Sequence, residues 1–482
     1  MEQRGTSRMS VASRARAFVA SPLAWVLAAM FVLDVVGITW GLPSSDAWDN
    51  DGVAPRDFLS GLFESFAPGR FYVYPPVHLA LLALITLPIS VVGVIKAPSL
   101  AISDLVRELI HPSYMTAFSC AARATSVVMA LGIVYAVAKI TEEIHGRRAG
   151  VCAAAVCAVN ASLTYYAHTS NLDVPYAFWS ALALLAFVRG IARSEPRRFR
   201  HAAVLMALAV ATKDQAYALF LITIPAAIAL WLTMDPRARS RTLARECATA
   251  AFITVALILF LDGALFNPSG FGARIRFLLG PASQDFVQYA SSWRGRAGVL
   301  ADVVSHFDRY YPLPFALLAL AGLVIHVRRT SSERARLVAG LVPLFAIASF
   351  TVAFNCVARR TDHRFVLPQS ILIAFYAGVA LDGLLVAARS KTARFALQLT
   401  ASVAFAVALF ACISVDANLL LDPRYDAEAW LSSHVAAGDT VETYGLNVYM
   451  PRIARAVPSA RVVRVGPEAT DRRNPLPGVL EV

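Results

Sequence analysis

Residues 40–76 read WGLPSSDAWDNDGVAPRDFLSGLFESFAPGRFYVYPP, directly after an apolar segment, Phe18 to Trp40, long enough to cross a bilayer. Asp46, Asp49 and Asp51 therefore stand within a few residues of the point where hydrocarbon gives way to water. Such a cluster is either a solvated loop or a site held at the membrane surface, and its context decides. The rest of the chain supplies that context. Of 482 residues, 57% are hydrophobic and 16% charged, and apolar runs recur along most of the length. Each run is roughly the twenty residues that a helix needs to cross about 30 Å of hydrocarbon. The expected fold class is an all-α polytopic membrane protein.

The net charge of +12 does not point to nucleic acid, because the Arg and Lys come in short bursts between apolar runs and not in one stripe. Cys120, Cys152, Cys157, Cys247, Cys356 and Cys412 lie in or beside apolar runs without a CxxC pair, and read as small buried residues. Arg4, Arg8, Arg14 and Arg16 precede the first apolar run as in a signal peptide. That run is long and has no clean small-residue cleavage site, so it reads as a retained signal anchor.

Its basic flank places the N-terminus in the cytoplasm and the loop 41–76 outside. Basic bursts at Arg147–Arg148, Arg193–Arg200, Arg237–Arg245, Arg328–Arg336 and Arg389–Arg394 mark later cytoplasmic turns. Spans are expected near Thr116–Ile140, Gly150–Ala167, Pro175–Ile191, His201–Ala211, Ala216–Met234, Thr249–Leu265, Pro312–His326, Leu337–Phe354, Phe365–Val386 and Phe395–Val415. Counting both Pro76–Ile95 and Thr116–Ile140 as crossings would invert every later burst. Pro76–Ile95, broken by Pro88, and the amphipathic Leu100–Ile110 are therefore read as juxtamembrane helices along the outer leaflet, leaving about eleven crossings. The transmembrane domain covers residues 1–415, with a long outer loop at 266–311. Residues 416–482 turn polar and read as a small extracytoplasmic α/β tail.

Four polar clusters fall on the outer side: Asp46, Asp49 and Asp51; His168, Asn171 and Asp173; Lys213 with Asp214; and Arg359, Arg360, Asp362, His363 and Arg364. Each has a plain structural reading. Asp173, ahead of Pro175, suits a helix N-cap, Lys213–Asp214 a polar turn, and the arginines lipid headgroups. Phe71, Tyr72, Tyr74, Trp293 and Tyr310 suit an interfacial aromatic belt better than a sugar site. Together, however, the clusters suit transfer of a glycosyl group from a lipid phosphate. A carboxylate must take the proton of the incoming hydroxyl, and cations must stabilise the departing phosphate, which needs no general acid. Asp51 or Asp49 is the base on this reading, with Arg359, Arg360, Arg364, Lys213 and His363 around the phosphate.

The order of several motifs resembles the glycosyltransferase C superfamily, in particular bacterial family 39-like relatives of the protein O-mannosyltransferases and of the aminoarabinose transferase ArnT. These are GLP at Gly41–Pro43 before the acidic residues, YPPVHLALLAL at Tyr74–Leu84, YYAHTSNLDVPYAFWSALALLAF at Tyr165–Phe187 and ATKDQA at Ala211–Ala216. HRFVLPQSILIAFYAGVALD at His363–Asp382 and a DxRxxAxxWL pattern at Asp422–Leu431 complete the set. The resemblance implies a polyprenyl-phosphate sugar donor, inversion at the anomeric centre, an Asp base in the first outer loop and a bacterial inner-membrane location. It also sets Tyr74 and His78 beside the cavity, with Asp173, Asn171 and His168 as substrate contacts. Relatives often have an adjacent Asp-Glu where this chain has Asp49-Asn50-Asp51; Asp51 is favoured as the base. The sugar and the acceptor, whether protein, lipid or polysaccharide, are open.

A hard divalent cation on Asp49, Asp51 and Asp173 is also open. Competing readings are a catalytically silent subunit with the same fold, or a lipid-linked-sugar flippase. The flippase is disfavoured because Asp34 and Asp262, the ionisable residues noticed within spans, lie near helix ends.

Overall fold

The computed structural model describes residues 21–44, 48–49, 52–280, 286–444 and 449–465. The Arg-rich N-terminal flank, Asp46 and Asp51 lie outside the described residues. The first helix, α1 (Pro22–Val35), opens on Ser21, whose hydroxyl accepts from the Ala24 N–H at 3.3 Å. Pro22 fits the first turn because its missing N–H would have no helical partner there. At 14 residues, α1 is shorter than the expected Phe18–Trp40. The chain turns at Gly37, whose φ of +84° favours glycine and whose α-carbon faces Leu419 and His168.

Then come α2 (Asp57–Phe66), α3 (Pro76–Lys96) and α4 (Ile102–Leu109), followed by the 34-residue α5 (Pro112–His145). α3 packs against α2, α4 and α5. Its 21 residues qualify by length and composition as a span, whereas the charge parity laid this segment along the leaflet.

The run expected as one span at Gly150–Ala167 is α6 (Arg147–Ala158) and α7 (Ala161–Ala167), bent by 67°. Asn160 makes the bend. Its Oδ1 accepts from the Leu163 N–H at 3.0 Å, and its amide donates to Ser370 Oγ at 2.9 Å and Tyr311 OH at 3.2 Å. A buried amide is costly unless so bonded, and these partners stabilise the break.

The bundle continues with α8 (Asp173–Ala192), α9 (Arg198–Val210), α10 (Asp214–Met234) and α11 (Arg241–Leu261). α12 (Pro268–Leu279) and α13 (Trp293–Ser305) lie in the long loop, before α14 (Leu313–Thr330), α15 (Arg334–Ala358), α16 (Leu367–Ala387) and α17 (Lys391–Leu420). Among the described residues nine helices are long and apolar enough to cross a membrane, or ten with the bent pair as one span. The difference from about eleven has a simple source. α1 and the 13-residue α9 are short, while α3 qualifies.

α5, α6, α8 and α16 form the buried centre, and small residues let their neighbours approach. A β-carbon on Gly378 would lie 2.4 Å from the backbone N of Ala153, and one on Gly322 would lie 1.9 Å from the carbonyl O of Tyr376. Both obstacles are backbone, which cannot swing aside. Gly322→Val should therefore separate α14 from α16 and destabilise the fold by at least the ~1–3 kcal/mol typical of overpacking. A wild-type melting temperature in detergent would refute this contact.

The tail comprises α18 (Pro423–His434), β1 (Thr440–Tyr444), α19 (Ile453–Ala456) and β2 (Arg461–Val465). β1 and β2 pair in parallel, with Val441 opposite Val462. The tail docks on the first loop, and Trp40 Nε1 donates to Asp422 Oδ2 at 2.9 Å.

Candidate active site

The ATKDQA motif builds the centre of the site through its backbone. α9 ends at Val210, Lys213 is extended at φ −153°, and a tight turn follows over Asp214–Ala216. Lys213 and Gln215 thus reach one side and Asp214 another. Lys213 Nζ donates to Asp173 Oδ1 at 2.6 Å, and Gln215 Nε2 lies 3.3 Å from the same oxygen while donating to Tyr176 OH at 2.8 Å. Lys213 also stands 5.7 Å from the centre of the Tyr176 ring.

Asp173 is fully buried and does not serve as the N-cap that its position before Pro175 suggested. Leu172 occupies the cap, and Asn171 Oδ1 accepts from the Asp173 N–H at 2.8 Å. The Asp173 carboxylate is thereby available to hold Lys213.

Asp214 takes Arg274, a residue that the sequence reading missed. Arg274 is 1% exposed, donates from Nε to the Val73 carbonyl at 3.4 Å and sits 5.0 Å over the Tyr72 ring. Tyr72 OH donates to the carbonyl of Asp262. Burial raises the Asp262 carboxyl to about 7 against the pull of Arg274, and burial pushes the Tyr72 phenol to about 12. Tyr72 and Tyr310 are 1% and 2% exposed, so neither belongs to the interfacial belt expected for them. Trp293, 83% exposed, remains free for that role. The signal for Arg274 was faint: it is one basic residue in a loop where positive charge is not favoured.

At the same end, Arg360 and Arg364 share the Phe365 ring at 4.8 and 4.7 Å. Burial, and then the neighbouring Arg364, pull the Arg360 pKa down. Burial would raise the Asp362 carboxyl, but its hydrogen bond with His363 and the nearby cationic groups hold it at about 2. His363 Nδ1 lies 2.6 Å from Asp362 Oδ1, and its ring stacks on Tyr166 at 5.9 Å. The Arg364 charge reaches Tyr166 and Tyr176, which links this cluster to Lys213 and Asp173. Arg359 points elsewhere. Its φ is +50°, its carbonyl accepts from the Gln288 and Tyr289 N–H groups at 3.1 and 3.2 Å, and its guanidinium lies 3.5 Å from the Tyr289 carbonyl.

Asp49 is 6% exposed and faces Gly52 and Ser170. The loop is pinned there, since Val53 N–H donates to the Ser170 carbonyl at 3.3 Å and Ser170 Oγ donates to the Val53 carbonyl at 3.1 Å. The charge of Asp49 also acts on Arg123, a buried arginine of α5 that donates to the carbonyls of Ile38 and Trp40 at 2.7 Å each. Tyr74 is half-exposed and His78 fully buried, with no hydrogen-bond partner for either ring nitrogen among the described residues. His168 is not brought to the Lys213 cluster. It is fully buried, its nitrogens facing the Thr164 and Val36 carbonyls at 2.7 and 2.5 Å, with Asp416 at 3.6 Å.

Among the described residues no group of three His, Cys, Asp or Glu stands ready for a metal, and Asp173 Oδ1 already holds an ammonium.

The fold has counterparts among solved structures. ArnT from Cupriavidus metallidurans in the apo state superposes with a TM-score of 0.55 at 14% identity, covering 96% of this chain and 89% of that one. The same protein bound to undecaprenyl phosphate gives 0.51 at 16% identity, covering 96% and 88%. The chain has the glycosyltransferase C fold. The archaeal oligosaccharyltransferase AglB from Archaeoglobus fulgidus, in complex with an inhibitory peptide and a dolichol-phosphate, shares this fold at a TM-score of 0.50 and 14% identity. The match covers 93% of this chain but only 64% of that longer one. A family model described as dolichyl-phosphate-mannose-protein mannosyltransferase matches residues 115–263, the part of the fold that holds Asp173, Lys213, Asp214 and Asp262. No curated protein sequence matches the chain.

Proposed function

We propose that the protein is a membrane glycosyltransferase that moves a sugar from a polyprenyl-phosphate donor to a hydroxyl acceptor on the extracytoplasmic side, with inversion at the anomeric carbon. The observation that carries this reading is the gathering of cations at one end of an apolar bundle. Arg360 and Arg364 crowd one aromatic ring, and Lys213 stands within reach of the same tyrosine as Arg364. Like charges held this close repel, and an anion between them relieves the repulsion. A phosphate does so best as it leaves, when its charge grows.

The bundle also offers room for a lipid chain. An apolar cavity of 380 Å³ runs between α9, α10 and α11, lined by Phe199, Met206, Tyr217, Ile224, Ala250 and Val255 among others. Tyr217 brings it to within a few residues of Lys213 and Asp214.

On this reading the acceptor oxygen attacks the anomeric carbon from the face opposite the phosphate. The new C–O bond forms as the bond to phosphate breaks, the acceptor proton passes to a first-loop carboxylate, and the phosphate departs with the electron pair. Asp51 is the favoured base and Asp49 its neighbour in the loop. Lys213, positioned by Asp173, joins Arg360 and Arg364 around the phosphate, with His363 at its edge, while Arg359 is turned to the Tyr289 carbonyl and takes no part. A divalent cation, if used, would add positive charge beside that phosphate. Its use is tested by chelating the assay and adding back magnesium or manganese.

The deciding experiment follows label from a panel of polyprenyl-phosphate sugars with the purified protein in lipid. Wild type should transfer to an acceptor or to water. Arg364→Ala, which removes a charge-assisted phosphate contact, should lose about 10–100-fold in kcat/KM. Unchanged donor affinity and turnover in that variant would remove Arg364 from the phosphate site.

A further inference from the structure

Trp48, the residue before Asp49, packs against Trp40 and is gripped by the tail. It is 4% exposed, with the Arg424 guanidinium 4.1 Å over its ring, Arg452 at 5.1 Å and the Tyr425 ring at 5.0 Å. Two ion pairs bracket it. Arg424 donates to Asp422, which also accepts from the Trp40 indole. Arg452 grips Glu428 with both arms of its fork at 2.7 and 2.6 Å, and the two side chains are only 8% and 11% exposed.

The remaining bonds end on the loop backbone. Arg452 donates to the Leu42 carbonyl, and the Gly41 N–H donates to Tyr425 OH at 2.9 Å. Gly41 has a φ of +70°, and a β-carbon there would lie 2.7 Å from the Trp48 ring. A tail that was merely docked would need apolar contact alone. Here directional bonds grasp residues 41 and 42, and Gly41 lies directly against the Trp48 ring.

We infer that Arg452 and Glu428 are positioning residues of the transferase, a latch by which the tail sets Trp48 and, through it, Asp49 of the first loop against Ser170. The inference rests on the proposed role of that loop as the source of the base. The latch acts on the geometry of attack and leaves the donor phosphate contacts alone. Its loss therefore affects turnover and spares donor binding.

The test uses the full-length protein in lipid with Arg452→Gln, Arg452→Lys and Tyr425→Phe. Arg452→Gln should lower kcat by about tenfold or more while donor KM stays within about twofold. Arg452→Lys should share the defect, because lysine keeps the charge but lacks the planar fork. Tyr425→Phe, a mild change that removes one hydroxyl, should show a smaller defect of the same kind. Amide hydrogen exchange, measured without donor, should speed up at residues 41–53 in Arg452→Gln and stay unchanged in α5 and α16.

Wild-type kcat together with wild-type loop exchange in Arg452→Gln would overturn the latch. Faster exchange throughout the bundle would also overturn it, in favour of a general stabilising role. If wild type transfers from no donor, the proposed reaction fails, and loop exchange alone then decides whether the tail orders the loop.

Discussion

Asp51→Asn should reduce transfer by about 10²–10⁴-fold, the usual worth of a positioned general base, while the protein remains folded and inserted. The amide matches the carboxylate in shape but cannot take a proton. An ordinary aspartate titrates near about 4, so it accepts the proton of a hydroxyl only as that proton becomes acidic in the transition state. The loss should therefore appear in kcat, with donor binding largely kept. Asp49→Asn is the informative partner, because the Asp49 charge acts on Arg123, which holds the backbone at Ile38 and Trp40. Its expected effect is a smaller loss of turnover. Near-normal transfer by Asp51→Asn, with abolition in Asp49→Asn, would move the base to Asp49.

The second large effect concerns Asp173. Asp173→Ala leaves the Lys213 ammonium without its carboxylate, and removing one partner of a buried ion pair costs about 3–5 kcal/mol. The Lys213 side chain is 19% exposed, so water recovers part of the loss and the expected cost lies at the low end of that range. Combining it with Lys213→Met should restore most of the stability, since no charge is then stranded, a non-additivity typical of paired groups. Transfer should stay lost in the double variant because the phosphate lacks that cation. Denaturation midpoints in detergent, measured beside transfer, separate the two effects. A double variant as unstable as Asp173→Ala would show that the pair does not act as a unit.

Much of the chain was legible without coordinates, because apolar run length is a local property and hydrocarbon thickness sets its scale. The spans from α10 to α17 fall close to where hydropathy placed them, with most ends shifted by five residues or fewer and the start of α11 by eight. The break at Asn160 was not legible. It depends on Ser370 and Tyr311, more than a hundred residues away, which accept the amide hydrogens that make a polar kink tolerable. The N-cap reading of Asp173 followed from a sound local rule. A lysine 40 positions later in the chain claimed the carboxylate, while Asn171 supplied a backbone bond in its place.

Sequence alone determined that this is an all-α multi-pass membrane protein with acidic and basic clusters at its loops, because burial in lipid constrains composition residue by residue. Tertiary structure decided which charges meet: Lys213 with Asp173, Arg274 with Asp214, and Arg452 with Glu428 beneath Trp48. An ion pair depends on separations of a few ångströms between residues distant in sequence, and that information resides in helix packing and not in any single stretch of the chain.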